Sequence, residues 1–335
     1  TTLLRADLMP SSVSHAATWG TVPVLLMEMA SLRVQCIDTF GMTKVSATDV
    51  PTEYQYALRG EDAFCARLRR GSPCLVIWSV ASKLQQGSYI ISGGLGGLGL
   101  SAAPWLLAQS GGNVILVSRS GRVTREDQGL VDGLEVLQSA TICRADMSEA
   151  ADVVGVCLIA PMLTGQLYLP HVEGGALFRF VLAEQFQAIF TGKARGGGLV
   201  HAILNTRQRL CISFFASSVA SFGGVRSSAY SAANAYLDGL IQCGRAQGLS
   251  STSANFPVLS GAGTGASVFA KQLEDPGSAY SATALTVEVA VDVIRLLVCM
   301  QHGPLCAPLP VESAKVRRGL AGVWLPQQSM SVPGG

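Results

Sequence analysis

Charged residues are scarce in this chain. Only 14% of its 335 residues are Asp, Glu, Lys or Arg, and the formal net charge is +2. So small a positive excess argues against a nucleic acid or an anionic membrane surface as the partner. Hydrophobic residues make up 49% of the chain. That share excludes a largely disordered protein and is enough for a large core.

Long apolar runs and paired cysteines are also missing. No apolar stretch reaches the roughly 18 residues of a transmembrane helix, so we expect no membrane span. The opening TTLLRADLMP lacks the apolar region of a signal peptide. The nine cysteines include no CxxC pair and no zinc spacing. We therefore predict reduced thiols, no metal site and an intracellular location, cytoplasmic or organellar if a parent protein is targeted.

From residue 88 onward, short apolar strands alternate with helical segments. Helices are predicted over 98–110, around 184–191 and after Tyr230. Such alternation predicts an α/β fold with a doubly wound, Rossmann-like parallel sheet, whose ligands bind beyond the carboxyl ends of the strands. The predicted strands are SYIIS, NVILVS, the end of EVLQSATICRAD, TGQLYLP, LCISFFAS and STSANF.

Residues 1–84 have a different, mixed character. VPVLLMEMASL has helical spacing, RVQCIDTF is typical of a strand, and EYQYALRGEDAFCARLRR predicts a hairpin around Gly60 and Glu61. This part of the sequence contains no catalytic constellation.

Five glycines stand between a predicted strand and a predicted helix, in ISGGLGGLGLSAAPWLL. Glycine tolerates positive φ and has no Cβ, so a dinucleotide pyrophosphate can approach the backbone N–H groups and the helix N-terminus. Two spacings fit, Gly94-x-Gly96-xx-Gly99 and Gly93-xxx-Gly97-x-Gly99, and the second is typical of short-chain dehydrogenases/reductases. A tight turn without a ligand is the alternative. The candidate cofactor-binding residues are Gly93, Gly94, Leu95, Gly96, Gly97, Leu98 and Gly99.

The sequence SRSG follows the second strand and indicates which dinucleotide is bound. An Asp or Glu at this place favours a free ribose 2′-hydroxyl, whereas Arg favours a 2′-phosphate, so Arg119, between Ser118 and Ser120, points to NADPH. A solvated surface arginine is the alternative. After the third strand, Asp146 either accepts a hydrogen bond from the adenine amino group or serves as a cap or turn residue.

The segment FFASSVASFGGVRSSAYSAANAYLDGL contains the candidate catalytic groups. Tyr230 and Asn234 are four residues apart, so they share one helix face. A phenol with the ordinary pKa of about 10 is a poor acid at neutral pH. A nearby lysine ammonium can lower that pKa and orient a proton relay. In an ordinary short-chain reductase the lysine stands four residues after the tyrosine, where this chain has Asn234.

The glycine segment and SSVASFGG…YSAANAYLDGL together resemble the ketoreductase domain of modular type I polyketide synthases and of the related animal-type fatty acid synthases. In that family the Lys and the Asn exchange places, and AEQFQAIFTGKARG supplies Lys193. TWGTVPVLLMEMASLRVQCIDTF is similar to the opening of the family's structural subdomain, and LTVEVAVDVIRLLV to its C-terminal helix. The resemblance implies a degenerate Rossmann-like structural subdomain (1–84), a catalytic NADPH-binding subdomain (85–325) and a tail or linker (326–335). Thr1 and the SVPGG end suggest a piece of a longer protein.

The resemblance implies reduction of a β-ketoacyl thioester to the β-hydroxyacyl thioester. The substrate would be carried on the phosphopantetheine of an acyl carrier protein, among neighbouring megasynthase domains and with NADPH as reductant. Tyr230 would donate the proton, Lys193 and Asn234 would hold the relay, and Ser218 would bind the carbonyl oxygen. The loop before Tyr230 is one residue short, so Ser217 is the alternative; the local match of SSVA favours Ser218.

Several segments depart from the family pattern. YLPH (168–171) replaces HAAG beside the nicotinamide ribose, and 173–175 do not contain the LDD of one stereochemical class. Phe222 stands where the other class has Trp, so the configuration of the product is open. A non-reducing structural or epimerising domain is therefore an alternative. His15, His171, His201 and His302 are isolated in the sequence, and we predict structural roles for them.

Overall fold

The structure is a computed structural model of the chain. It describes residues 13–32, 34–38, 54–59, 62–64, 84–123, 137–172, 174–204, 210–261 and 284–300. The predicted tail, 326–335, lies outside these residues. The boundary at residue 84 stays a prediction.

The described residues of the N-terminal part form one helix and a small sheet. Helix α1 (Val13–Glu28) is followed by strands β1 (Cys36–Asp38), β2 (Gln55–Arg59) and β3 (Asp62–Phe64). β1 and β2 are parallel, whereas β2 and β3 are antiparallel, with Arg59 opposite Asp62. The predicted hairpin is thus confirmed.

A six-stranded, wholly parallel sheet forms the centre of the molecule, in the order β6-β5-β4-β7-β8-β9. The chain runs outward from β4 to β6, crosses back, and continues from β7 to β9 on the other side. The carboxyl ends of β4 and β7 therefore border the crevice at which such sheets bind ligands. The strands are β4 (Gly87–Ser92), β5 (Gly111–Ser118), β6 (Thr141–Arg144), β7 (Leu163–Tyr168), β8 (Cys211–Ser217) and β9 (Ser251–Phe256).

Helices cover both faces of this sheet, which confirms the predicted α/β class. The two short strands β10 (Leu259–Ser260) and β11 (Leu285–Thr286) pair with each other at its C-terminal side. The helices are α2 (Gly97–Ser110), α3 (Ala150–Leu158), α4 (Ala183–Phe190), α5 (Gly196–Leu204), α6 (Val219–Phe222), α7 (Ser228–Ala246) and α8 (Val287–Met300).

The core has two layers, one on each side of the sheet. Ile91 packs with side chains of α2 and α8, whereas its neighbour Ile90 packs with side chains of α3, α5 and α7. Both isoleucines are fully buried. Burial on both faces explains why β4 and β5 contain the continuous apolar runs YII and VILV rather than alternating patterns.

Helix α1 packs along α7, the helix that carries Tyr230. Glycines allow the close approach: a Cβ on Gly20 would lie 2.5 Å from the Cβ of Ala235, and one on Gly239 would lie 2.6 Å from the Cβ of Ala16. The Ser231 hydroxyl donates a hydrogen bond to the carbonyl oxygen of Gly20 (2.6 Å). A segment that precedes the parallel sheet therefore supports the helix that carries Tyr230.

Candidate active site

The glycine loop turns sharply at the end of β4. Gly93 has φ +77°, a left-handed conformation that favours glycine. The N–H groups of Gly93 and Gly94 donate to the carbonyl oxygen of Val117 on β5 (2.9 and 3.1 Å). A Cβ on Gly94 would lie 2.8 Å from the Cα of Leu116, and one on Gly99 would lie 2.7 Å from the carbonyl oxygen of Gly93. These glycines are required by the backbone path.

The N-terminus of α2 opens from this loop without a side-chain cap. Gly96 occupies the cap position, and the cap has no side-chain hydrogen bond. The first N–H groups of a helix have no acceptor within it, so they bind anions readily. Gly96 is exposed, and a Cβ there would meet one neighbour, the carbonyl oxygen of Gly93, at 3.3 Å. An uncapped helix N-terminus on a glycine-lined loop fits a dinucleotide pyrophosphate.

Arg119 and the two serines beside it form the turn after β5. The Ser118 hydroxyl accepts the N–H of Gly121 (3.0 Å), and that of Ser120 accepts the N–H of Arg122 (3.2 Å). Both serines thus shape the turn, while the Arg119 side chain is exposed. An exposed guanidinium in this turn can bind a phosphate group.

Asp146 stands in the neighbouring turn after β6. Its Oδ1 accepts hydrogen bonds from the backbone N–H (2.9 Å) and the hydroxyl (2.7 Å) of Ser148. Burial alone would raise the pKa of Asp146, but these bonds and the charges of Arg119 and Arg195 lower it below its usual value. The turn role, which was the alternative to adenine binding, is therefore present in the structure.

Lys193 lies in a single π-helical turn, Thr191–Arg195, between α4 and α5. The side chain is only 2% exposed, and its Nζ donates to the carbonyl oxygens of Pro170 and Phe215, both at 3.1 Å. The same atom is 5.3 Å from the centre of the Tyr230 ring. Burial lowers the pKa of Lys193 to about 7, and the negative charge of Asp238 opposes that shift.

The YLPH segment is built into this site. The Tyr168 hydroxyl donates to the main-chain oxygen of Lys193 (3.1 Å), and Pro170 supplies one acceptor for the ammonium. The ring of His171 contacts that of Tyr230 edge-on, with 5.7 Å between centroids. The structure thus places His171 at the candidate catalytic phenol, a contact that its isolated position along the chain does not indicate.

Tyr230, Asn234 and Asp238 form a row along α7. The Asn234 amide donates to the main-chain oxygen of Tyr230 (2.7 Å). Burial raises the pKa of the Tyr230 phenol, whereas hydrogen bonding with the side chains of Asn234 and Ser217 counteracts the rise. Asp238 is buried and accepts hydrogen bonds from Ser253 and, at 2.9 Å, from Asn255.

The two candidate serines occupy different positions. Ser217 ends β8, and its hydroxyl is the one that hydrogen-bonds the phenol of Tyr230. Ser218 is the N-terminal cap residue of α6, and its main-chain oxygen accepts the N–H groups of Ser221 (3.1 Å) and Phe222 (3.0 Å). The structure thus brings Lys193, Tyr230, Asn234 and Ser217 together, with Ser218 one residue beyond.

Metal clusters and membrane-spanning helices are both absent from the described residues. These residues contain no group of three or more His, Cys, Asp or Glu side chains placed to hold a metal ion. None of the helices within them is long and apolar enough to span a membrane. In the segment 173–175, which stands where one stereochemical class has LDD, Glu173 lies outside the described residues.

Comparison with known proteins decides the family. Residues 87–261, more than half of the chain, match the family model of the KR domain. The chain belongs to the KR domain family. It is a ketoreductase domain of the polyketide synthase type, an oxidoreductase related to the short-chain dehydrogenases/reductases, as the resemblance implied.

Curated relatives of this KR domain are multidomain synthases. A phenolphthiocerol/phthiocerol polyketide synthase polypeptide of Mycobacterium tuberculosis is 27% identical over 306 residues, which are 87% of this chain and 16% of that protein. Highly-reducing polyketide synthase 1 of Aureobasidium melanogenum is 32% identical over 188 residues, 53% of this chain and 8% of that protein. The chain thus spans a small part of the length of these relatives.

Solved ketoreductases share the fold. PlmKR1, the ketoreductase from the first module of phoslactomycin biosynthesis in Streptomyces sp. HK803, superposes with a TM-score of 0.75 at 20% identity, over 96% of this chain and 76% of that one. An A-type ketoreductase from a modular polyketide synthase gives a TM-score of 0.74 at 22% identity, over 89% and 65%. Their similarity supports the Rossmann-like architecture of the KR domain.

Proposed function

We propose that this KR domain reduces the β-ketone of an acyl thioester, held on the phosphopantetheine of an acyl carrier protein, to the β-hydroxyl. The observation that carries the proposal is the buried Lys193 ammonium, 5.3 Å from the ring of Tyr230. Both lie near the carboxyl ends of the parallel strands, where the glycine loop also lies. A charged group beside a phenol in a buried site is the arrangement that proton donation to a ketone requires.

The chain's own residues would handle the proton. Tyr230 donates its phenolic proton to the carbonyl oxygen, which becomes the hydroxyl, and the tyrosinate left behind is stabilised by the ammonium of Lys193. Ser217 hydrogen-bonds the same oxygen, and we assign it this role in place of Ser218 because it contacts Tyr230. Asn234 holds the main chain at Tyr230. Bound NADPH supplies the hydride to the carbonyl carbon.

NADPH is the dinucleotide that we propose for the glycine loop. The loop and the uncapped α2 N-terminus would hold the pyrophosphate, and exposed Arg119 would pair with the 2′-phosphate. Asp146 keeps Oδ2 for a contact with the adenine, since Ser148 occupies Oδ1. The acyl carrier protein and neighbouring domains are proposed because the relatives are multidomain synthases. The described cysteines form no disulfide, which favours a reducing, cytoplasmic or organellar compartment.

The first experiment measures NADPH oxidation with the N-acetylcysteamine thioester of acetoacetate. We expect turnover by the wild-type domain and a loss of about 10²–10⁴-fold in kcat for Tyr230→Phe, because general acid catalysis contributes about this much. The Kd for NADPH should be unchanged, since the phenol is not needed to bind it.

Equal rates for the two proteins would contradict the assignment of Tyr230. A domain that binds NADPH without oxidising it is tested further with an α-methyl-β-ketoacyl thioester in deuterated water. Exchange of the α-hydrogen without NADPH oxidation would support the epimerising alternative, and the absence of both reactions the structural one.

A further inference from the structure

The carboxylate of Glu28, the last residue of α1, joins two loops that are far apart in sequence. Its Oε1 accepts the N–H of Arg226 (2.6 Å), and its Oε2 accepts the N–H of Phe178. The helix that brings Glu28 to this place is itself fixed along α7 through Gly20. Neither loop belongs to the N-terminal part of the chain.

Both loops border the substrate side of the candidate active site. Arg226 lies in the connection from β8 to α7, four residues before Tyr230, and Phe178 lies in the connection from β7 to the helix that precedes Lys193. Connections at the carboxyl ends of parallel strands form the binding crevice of such sheets. Arg226 has φ +67°, a left-handed conformation that is unusual for a residue other than glycine.

The two loops also contact each other directly. A Cβ on Gly175 would overlap the carbonyl oxygen of Arg226, so the backbones touch where only glycine fits. The guanidinium of Arg226 reaches the carbonyl oxygen of Gly175 at 3.5 Å. Exposed apolar side chains stand on the same loops, namely Phe180, Leu182 and Val225 (62, 59 and 55% exposed). The two loops therefore form one unit that exposes apolar side chains, and the Glu28 carboxylate joins them through its two hydrogen bonds.

We infer that Glu28 is a positioning residue that holds this pair of loops in register and so governs the binding and orientation of the acyl thioester. The inference rests on the proposed function, because it concerns the substrate of that same site. A carboxylate is well suited to this role, because it accepts two N–H donors at once and forms stronger hydrogen bonds than a neutral acceptor. The role is separate from the chemistry, since Glu28 touches neither Tyr230 nor Lys193 in the described contacts.

The test substitutes Glu28→Gln, which keeps the shape of the side chain but leaves one acceptor atom instead of two. We expect amide hydrogen exchange of Phe178 and Arg226 to rise at least about tenfold, in line with the loss of one charge-assisted hydrogen bond. The KM for the acetoacetyl thioester should rise roughly tenfold and the enantiomeric excess of the alcohol should fall. The KM for NADPH should stay unchanged.

The matched control is Asp292→Asn, the corresponding carboxylate-to-amide change on a half-buried side chain that pairs with Arg295 (3.2 Å) on α8. It should leave exchange at both loops and the alcohol configuration as in the wild type. Glu28→Asp, which keeps the charge but shortens the reach, should act in the same direction as Glu28→Gln and serves if the latter folds poorly.

Unchanged exchange at both amides in Glu28→Gln would overturn the inference. So would faster exchange with an unaltered thioester KM and unaltered product configuration, because the loops would then not position the substrate. If the wild-type domain fails to oxidise NADPH, the proposed function fails, whereas exchange in the two variants still decides whether Glu28 holds the loops.

Discussion

The ammonium of Lys193 lies where water has almost no access, so its charge depends on neighbouring dipoles. Two carbonyl oxygens, of Pro170 and Phe215, take the place of its hydration shell. These two hydrogen bonds only partly offset the lost hydration, so burial lowers the pKa of Lys193 to about 7. A residue that titrates near neutral pH beside Tyr230 can both stabilise a phenolate and take part in its reprotonation.

The two serines at the end of β8 provide the sharpest prediction for single residues. Ser217→Ala should lower kcat about 10²-fold, the lower range for removing a hydrogen-bond donor to a developing oxyanion. Ser218→Ala should change kcat much less, because the described contacts of Ser218 are those of its main chain. Steady-state kinetics of both variants with the acetoacetyl thioester measure this. A larger loss of kcat for Ser218→Ala than for Ser217→Ala would favour Ser218, the residue predicted from the sequence.

Arg119 allows a prediction about the cofactor. Arg119→Asp should reduce the preference for NADPH over NADH at least about tenfold, because a carboxylate repels the 2′-phosphate and accepts a free 2′-hydroxyl. The ratio of the two kcat/KM values measures the preference. Arg122→Asp, the same charge reversal at an exposed arginine three residues on, is the control. Equal effects of the two substitutions would count against a specific role of Arg119.

Most of the candidate site can be predicted from the sequence because the groups are recognisable by type and order. Tyr230 and Asn234 share a helix face for geometric reasons, and Lys193 follows from the family resemblance. The choice between Ser217 and Ser218 is beyond sequence, since it depends on where β8 ends relative to the phenol. The contact of His171 is hidden for a similar reason: only the fold brings the end of β7 against the first turn of α7.

At the scale of elements, α7 presents Tyr230, Asn234 and Asp238 in one row, so the chemistry of Lys193 depends on a charge two turns from the phenol. Protonated Lys193 predominates below its pKa, and kcat/KM for NADPH, which reports groups of the free enzyme, should therefore fall as pH rises through about 7. Asp238 raises the pKa of Lys193. Asp238→Asn should consequently move the fall to lower pH by roughly one unit.

The pH dependence of kcat/KM in the wild type and the two Asp→Asn variants is the measurement. Asp292→Asn should keep the wild-type profile, because Asp292 pairs with Arg295 and Asp238 is the charge that acts on Lys193. A profile of Asp238→Asn that coincides with the wild type, in a protein of unchanged Tm, would show that Asp238 does not act on Lys193.

Helix α5 shows where prediction of elements fails. Its first three residues are Gly196, Gly197 and Gly198, and a glycine run favours a loop over a helix. In the structure these residues are helical, and a side chain on Gly196 would overlap the Tyr168 hydroxyl. The glycines are thus explained by tight packing around the π-helical turn of Lys193. Tertiary contacts, which local sequence does not contain, override helix propensity here.

For the molecule as a whole, the N-terminal part and the parallel sheet depend on each other. Removal of residues 1–84 would uncover the face of α7 on which α1 packs and leave the Glu28 acceptors missing. We expect the fragment 85–335 to be largely insoluble, or to melt at least about 10 °C below the full chain, since the buried Val22 and Val24 of α1 stabilise by about 1.5–3 kcal/mol each. Soluble yield and thermal melting of the two proteins test this. A fragment as stable as the full chain would contradict it.

The packing of α1 on α7 also bears on how such reductases can be transplanted between synthases. A splice placed just ahead of the glycine loop looks natural, because the nucleotide-binding motif starts there. In this chain such a cut would leave behind helix α1, which packs on α7, and the Glu28 contacts to the loops of Phe178 and Arg226. A transferred ketoreductase segment therefore has to begin before Val13, so that its junction with the receiving synthase lies outside the α1–α7 interface.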